Sequence, residues 1–224
     1  MKNQNVPSYP PWNSPETVAR FSASPPNAEL MAFAANELCC GGDSSRLLDI
    51  GCGAGSNAIP LARIGWNVLG LDLSGPMLEA AVRRAQEEKL TTHLHFKHAP
   101  MDQLPVADQS YDFIVAHGIW NLARSAAEFR EALREAARAA RPNAALFVFT
   151  FSRNTLSPEI KPVSGEPFIF TEFSGAPQCF LTEEQLIKEL AAAGFTQELG
   201  IPIKEYPRDG NRPTIYEGIF RRNN

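Results

Sequence analysis

The chain has little of what would send it to a membrane, a disulfide framework or a phosphate-binding fold. No apolar run approaches the roughly 18 residues that cross a bilayer, and the start lacks the charged-then-apolar order of a secretory leader; the expectation is a soluble cytoplasmic protein with no membrane partner. Cysteine is scarce: the 4 cysteines, at 39, 40, 52 and 179, have no C-x-x-C spacing. That supports neither a zinc ribbon nor a disulfide framework and leaves reduced thiols as the simpler reading. Lysine is missing between Lys2 and Lys89, so no Gly-Lys-Ser or Gly-Lys-Thr ends an early glycine loop, and Walker chemistry is excluded. Positive charge is not in excess either. A net charge of -4 argues against a broad basic surface for phosphate backbones, and no nucleic-acid partner is expected.

What is present is an ordinary globular balance, 44% hydrophobic and 21% charged over 224 residues, which suits one domain. Residues 1–26 hold six prolines, so no helix or strand pattern runs through the first part of that stretch. It reads as an arm or lid ahead of a single domain at 27–224.

Within the domain, apolar strands alternate with helical patterns. A helix from Asn27 to Cys40, stopped by Gly41-Gly42, precedes a first strand ending at Ile50. Asn67 to Asp72 is a second strand, followed by a helix from Gly75 to about Glu88. His93 to Lys97 and Tyr111 to Ala116 are strands three and four, Ser125 to Ala140 is a long amphipathic helix, and Ala144 to Phe151 is a fifth strand. Its unbroken hydrophobicity suits a parallel strand covered on both faces. Five such units imply an α/β, doubly wound sheet. Thr182 starts a capped helix that reaches Gly194, and two more strand-like stretches follow, with a turn at Arg208-Asp209-Gly210-Asn211. Arg130, Arg134, Arg138 and Arg141, interleaved with Glu128, Glu131 and Glu135, read as i,i+4 pairs on a wet helix face. His93, His95 and His98 lack a completing carboxylate or cysteine, and no metal is expected.

The segment Leu47-Leu48-Asp49-Ile50-Gly51-Cys52-Gly53-Ala54-Gly55 carries the most chemistry. A strand ends in an acid, and three glycines permit positive φ and close approach of a ligand to bare backbone, at the strand ends where open α/β sheets bind ligands. A dinucleotide fingerprint would need its third glycine at position 56, which is Ser56. The segment instead resembles motif I of the class I S-adenosylmethionine-dependent methyltransferases, an apolar strand followed by D-x-G-x-G-x-G.

The resemblance implies a seven-stranded Rossmann-like sheet in the order 3-2-1-4-5-7-6 with strand 7 antiparallel and helices on both faces. It implies S-adenosyl-L-methionine as cofactor, S-adenosyl-L-homocysteine as product, and a small-molecule acceptor. The residues matched to cofactor binding are Asp49, Gly51, Cys52, Gly53, Gly55, Asp72, Leu73, Met77, Met101, Asp102 and His117. Asp49 is the acid for the amino acid end. Asp72 stands 23 residues further on at the end of the second strand, and is the ribose ligand. Met101 and Asp102 supply an apolar wall and an acceptor for adenine, with Leu73 on the other face. His117, at the end of the fourth strand, is the candidate catalytic base. Trp120, Asn121 and, from the arm, Trp12 are candidate substrate contacts.

Several alternatives stay open. The alternative for His117 and Trp120 is a half-buried histidine and a core tryptophan, and Tyr9, Trp12 and Phe21 read equally as anchors of the arm and as a cage. Gly165 to Phe170 and Asp209 to Arg212 resemble the tellurite-resistance branch of small-molecule methyltransferases, over short stretches that do not fix the acceptor. A catalytically silent S-adenosylmethionine-binding module and an NAD-type oxidoreductase are the competing functions. The oligomeric state is open between monomer and homodimer.

Overall fold

The fold is taken from a computed structural model, which describes residues 12–40, 45–207, 210 and 212–224. Tyr9, Gly41, Gly42, Arg208, Asp209 and Asn211 lie outside the described residues. Five parallel strands form the centre: β1 (Arg46–Ile50), β2 (Asn67–Asp72), β3 (Leu94–His98), β4 (Tyr111–His117) and β5 (Ala140–Phe151). Three further strands complete the sheet: the short β8 (Phe195–Gln197) and β9 (Lys204–Tyr206) and the longer β10 (Ile215–Arg222). The order is β3-β2-β1-β4-β5-β10-β8, with β9 also pairing β10. β10 runs antiparallel to β5, and β8 and β9 share its other edge, pairing Phe220–Arg222 and Ile215–Glu217 respectively. The expected order is therefore present, with β9 as an eighth strand.

Strand periodicity divides the core into two layers, since successive side chains point to opposite faces. Leu48, Ile50, Ile114, Ala116, Leu146 and Val148 pack against α5 (Ala126–Ala139) and α6 (Glu183–Ala192). Leu47, Phe113, Val115, Ala145 and Phe147 pack against α2 (Ala28–Cys40) and α3 (Ala58–Arg63). By the same alternation Asp49 and His117 belong to the α2–α3 face.

Local signals account for most helix ends. Ser74 caps α4 (Gly75–Glu87), Ser125 caps α5, and Thr182 forms a reciprocal capping box with Gln185 at α6; each satisfies N–H groups that a helix start leaves bare. Asn27 does the same for α2, its Oδ1 accepting from Leu30 N at 2.9 Å.

The structure adds elements to the sequence reading and changes one part of it. The arm carries a helix, α1 (Pro15–Ser22), with Ser14 as cap and proline in the first turn, where its missing N–H costs nothing. The insertion after β5 contains a small hairpin, β6 (Ile169–Phe170) and β7 (Gln178–Cys179), held by Phe151, Phe170, Phe173 and Phe180. The arginines of α5, and Arg141 at the start of β5, do not form the i,i+4 ladder. Arg134 pairs with Glu131 and Arg138 with Glu135 at i,i+3, Arg130 reaches Glu189 on α6, and Arg141 reaches Asp112. Arg138 also donates to the Leu104 and Val106 carbonyls. Those carbonyls lie in the loop between β3 and β4, within reach of a long guanidinium stem.

Candidate functional site

The turn after β1 is tight because its backbone is pinned to β2. Gly51 N and Cys52 N both donate to Leu71 O, at 2.7 and 2.9 Å, and Gly53 N donates to Asp72 Oδ2 at 2.9 Å. Gly51, Gly53 and Gly55 have φ of 75°, 53° and 80°, a region that strains any residue with a Cβ. Asp72 also accepts from Ser74 N through Oδ1 at 2.8 Å. One carboxylate thus joins the glycine loop to the start of α4, while each oxygen keeps a further lone pair for a ligand hydroxyl.

Asp49 is 1% exposed, and its Oδ2 has no hydrogen-bond partner among the described residues. Burial, then the nearby Asp72 carboxylate, push its pKa up from 3.8 to about 7. A buried acid with a bare oxygen is costly unless a cation or donor completes it. The loop therefore fits a ligand with a positively charged group.

Ala99 N donates to Asp72 O at 3.1 Å, which brings the β3 end, and with it Met101 and Asp102, beside Asp72. Both are half-buried, and Leu73 is 59% exposed, so an apolar surface stands open next to an acid. Met77 is elsewhere: it is 2% exposed, packed with Ala54 and Ala80 beneath Trp12, Val18 and Phe21 of the arm. Cys52 is buried with its thiol pushed up by burial and by Asp49 and Asp72.

The arm covers the glycine loop. Phe21 lies over Gly53, Ser56 Oγ donates to Phe21 O at 2.6 Å, and Ser74 Oγ donates to Asn13 Oδ1 at 2.8 Å. Trp12 and Phe21 meet edge to face at 5.5 Å. Trp12 Nε1 is buried and unpartnered among the described residues.

His117 ends β4 with its ring stacked on Phe149 at 4.2 Å. Burial lowers its pKa from 6.5 to about 4, so the ring is neutral at physiological pH and a weaker base than its residue type suggests. Cross-strand register sets His117 beside Phe149, and Phe149 beside Glu217. Asn27 Nδ2 lies 2.5 Å from Glu217 Oε1 and 3.4 Å from His117 Nε2. Neither Asn27 nor Glu217 was singled out from the sequence. Asn27 sits in a proline-flanked stretch, and Glu217 in a strand whose pattern shows no more than alternation. Trp120 and Asn121 do not line the open crevice: they are 0% and 2% exposed, and Trp120 packs on Phe129. The turn that carries them faces the α5 layer, where a large ring fills the core. Cys179 is also buried, its thiol donating to Ala123 O. Among the described residues no group of three His, Cys, Asp or Glu side chains is placed to hold a metal ion.

A parallel sheet with a reversed strand beside β5, a glycine turn at the crevice and acids ending β1 and β2 define a nucleotide-type cofactor domain. The methyltransferase domain model matches residues 48–148. A 2-phytyl-1,4-naphtoquinone methyltransferase of Trichormus variabilis is 30% identical over 171 residues, 70% of this chain and 74% of that protein. A ubiquinone biosynthesis O-methyltransferase of Azorhizobium caulinodans is 28% identical over 67% of this chain, which spans 58% of that protein's length. Among solved structures, a Burkholderia thailandensis 1,6-didemethyltoxoflavin-N1-methyltransferase with 1,6-didemethyltoxoflavin and S-adenosylhomocysteine bound matches with a TM-score of 0.69, at 19% identity, over 88% of this chain and 78% of that one. The chain belongs to the class I S-adenosylmethionine-dependent methyltransferases.

Proposed function

We propose that this chain transfers a methyl group from S-adenosyl-L-methionine to a small organic acceptor, of which a quinol-type hydroxyl compound is the first to try. The observation that carries the reading is Asp49: a buried acid with a bare oxygen, beside a glycine turn and a second acid, suits the cationic amino acid end of that cofactor. The quinone methyltransferases among its relatives support the acceptor class.

Bound there, the cofactor supplies an electrophilic methyl group, so the protein's task is orientation and electrostatics. Asp49 holds the ammonium, Asp72 the ribose hydroxyls, and Leu73, Met101 and Asp102 the adenine. The glycine loop lets the ligand lie against bare backbone. His117 stands on the acceptor side as the group that takes a proton, and the arm, through Trp12 and Phe21, excludes water from the loop. No described helix is long and apolar enough to cross a membrane, and Cys39, Cys52 and Cys179 are unpaired. These features agree with a cytoplasmic enzyme.

Calorimetry with S-adenosylhomocysteine tests the cofactor, with binding at micromolar ligand as the expected result. A folded protein that binds none sinks the reading. Conversion of labelled S-adenosylmethionine in the presence of hydroquinones then separates an enzyme from a silent binding module.

A further inference from the structure

We infer that Asn27 and Glu217 are positioning residues, which hold the His117 ring in the tautomer whose bare Nε2 receives the proton of a hydroxyl acceptor. The inference rests on the methyl-transfer reading above and assigns roles to two residues outside it.

The orientation of the Asn27 amide is not free. Leu30 N donates to Asn27 Oδ1 at 2.9 Å, and a backbone N–H can only donate, so the Nδ2 end must face the sheet. Nδ2 has two hydrogens and two neighbours there, Glu217 Oε1 at 2.5 Å and His117 Nε2 at 3.4 Å. An amide nitrogen accepts nothing, so Nε2 presents its lone pair and the ring hydrogen sits on Nδ1. A proton on Nε2 would point at the Asn27 N–H. Asn27 is fixed from its main chain as well, its N–H donating to Asn57 Oδ1 at 2.9 Å. It therefore ties α2, the glycine-loop side and the sheet together, with the amide aimed by Glu217.

Glu217 is 7% exposed. The ionisable groups facing it are His117, reached through Asn27, and Tyr206 and Lys204 on β9, which in turn face Glu29 on α2. Lys204 is engaged with Glu29 at 2.8 Å, so Asn27 and Tyr206 are the donors that Glu217 holds.

The contact between Asn27 and His117 is at the outer limit of a hydrogen bond, and an acceptor hydroxyl can displace it. The hydroxyl donates to Nε2 while its oxygen accepts from the Asn27 N–H. In the transfer a bond forms between that oxygen and the methyl carbon, and the carbon–sulfur bond breaks with its electron pair going to sulfur. The hydroxyl proton passes to Nε2 and then to solvent. A thiolate has no proton to give and gains nothing from this arrangement, whereas a hydroxyl acceptor needs it.

The test is nitrogen NMR of the full chain carrying ring-labelled histidine, the His117 signals being those lost in His117→Gln. Asn27→Ser keeps the helix cap without the amide, and Glu217→Gln keeps the shape without the charge. In the wild type we expect the Nδ1–H tautomer, with the ring neutral to below about pH 5. In Asn27→Ser we expect the Nε2–H tautomer, or protonation at least about one pH unit higher, and in Glu217→Gln a smaller move the same way. Wild-type ring signals in both variants overturn the inference; if Asn27→Ser does not fold, Glu217→Gln decides alone. S-adenosylhomocysteine affinity should stay within about threefold across all three proteins, because Glu217 makes its hydrogen bonds away from the glycine loop and Asn27→Ser keeps the main-chain N–H that donates to Asn57 just beyond that loop. Failure of the wild type to bind it overturns the methyl-transfer reading, while the ring signals still decide the positioning. With S-adenosylmethionine and a panel of small phenols and thiols, methylated phenols support the hydroxyl assignment, and methylated thiols alone overturn it.

Discussion

Ile119 closes over Gly51 so tightly that a Cβ at Gly51 would lie 2.6 Å from the Ile119 Cβ. The loop after β4 thereby sets how closely the first glycine turn packs to the crevice. Gly51→Ala adds this clash to the strain of φ +75°, and should cost at least about 2 kcal/mol. Ile119→Gly should recover part of that in the double variant, because the clashing Cβ, Cγ1 and Cδ1 go and the backbone strain stays. Urea unfolding of the four proteins checks it; strict additivity would show that the two residues are not coupled.

Asp72, proposed above as the ribose ligand, also accepts from Gly53 N and Ser74 N. From the sequence, Asp72→Ala is expected to weaken cofactor binding with little loss of fold. The structure makes it a stability variant too: two hydrogen bonds to a carboxylate are lost, on the order of 1–3 kcal/mol. Asp72→Asn, which keeps an acceptor, should retain more of the stability than of the affinity. Thermal melts beside S-adenosylhomocysteine titrations separate the two, and equal affinity in wild type and Asp72→Ala would remove the ribose assignment.

Asp49 and His117 give opposite dependences on pH. Folding raises the Asp49 pKa from 3.8 to about 7, so the folded chain binds more protons across that window and loses stability as pH rises through it. Folding lowers the His117 pKa from 6.5 to about 4, so that contribution is lost as pH falls through the window between them. Asp49→Asn should therefore raise the melting temperature of the ligand-free protein at pH 8, and His117→Gln should make it less acid-sensitive between pH 6 and pH 4.

In the proposed role, Asp49 also sets how ligand binding depends on pH. A cationic amino acid end prefers ionised Asp49, so S-adenosylhomocysteine affinity should improve as pH rises from 5.5 to 7.5, by up to about tenfold per unit below pH 7. In Asp49→Asn that slope should vanish. A wild-type affinity that is flat over this range would separate Asp49 from the ligand's charge.

Trp66 and Trp120 are buried in the core, while Trp12 lies in the arm above the glycine loop. Binding at the loop should therefore change tryptophan emission through Trp12. Trp12→Phe should abolish the change and raise the S-adenosylhomocysteine dissociation constant by about threefold to tenfold, the value of one aromatic contact. An unchanged response in Trp12→Phe would mean that the arm stays still when the loop is filled.

Much of this arrangement could be read along the chain because it is local. The alternation of Leu47, Leu48 and Ile50, the glycines at 51, 53 and 55, the acids at 49 and 72 and the caps at Ser74, Ser125 and Thr182 each follow from a few neighbouring residues. Periodicity, positive φ and capping are properties of a short segment, so the elements and the glycine turn came with them, while the strand order came only from the family resemblance that the turn carries. The tertiary structure decided what depends on distant segments meeting. It buried Trp120 against Phe129, moved Met77 beneath the arm, put Phe21 over Gly53, and aimed Asn27 from the start of α2 at His117 on β4 and Glu217 on β10. Residues 27, 117 and 217 are far apart in the sequence and adjacent only because β5 lies between β4 and β10 with α2 across the same face. Burial, which makes Asp49 a weak acid and His117 a weak base, exists only once those layers have closed.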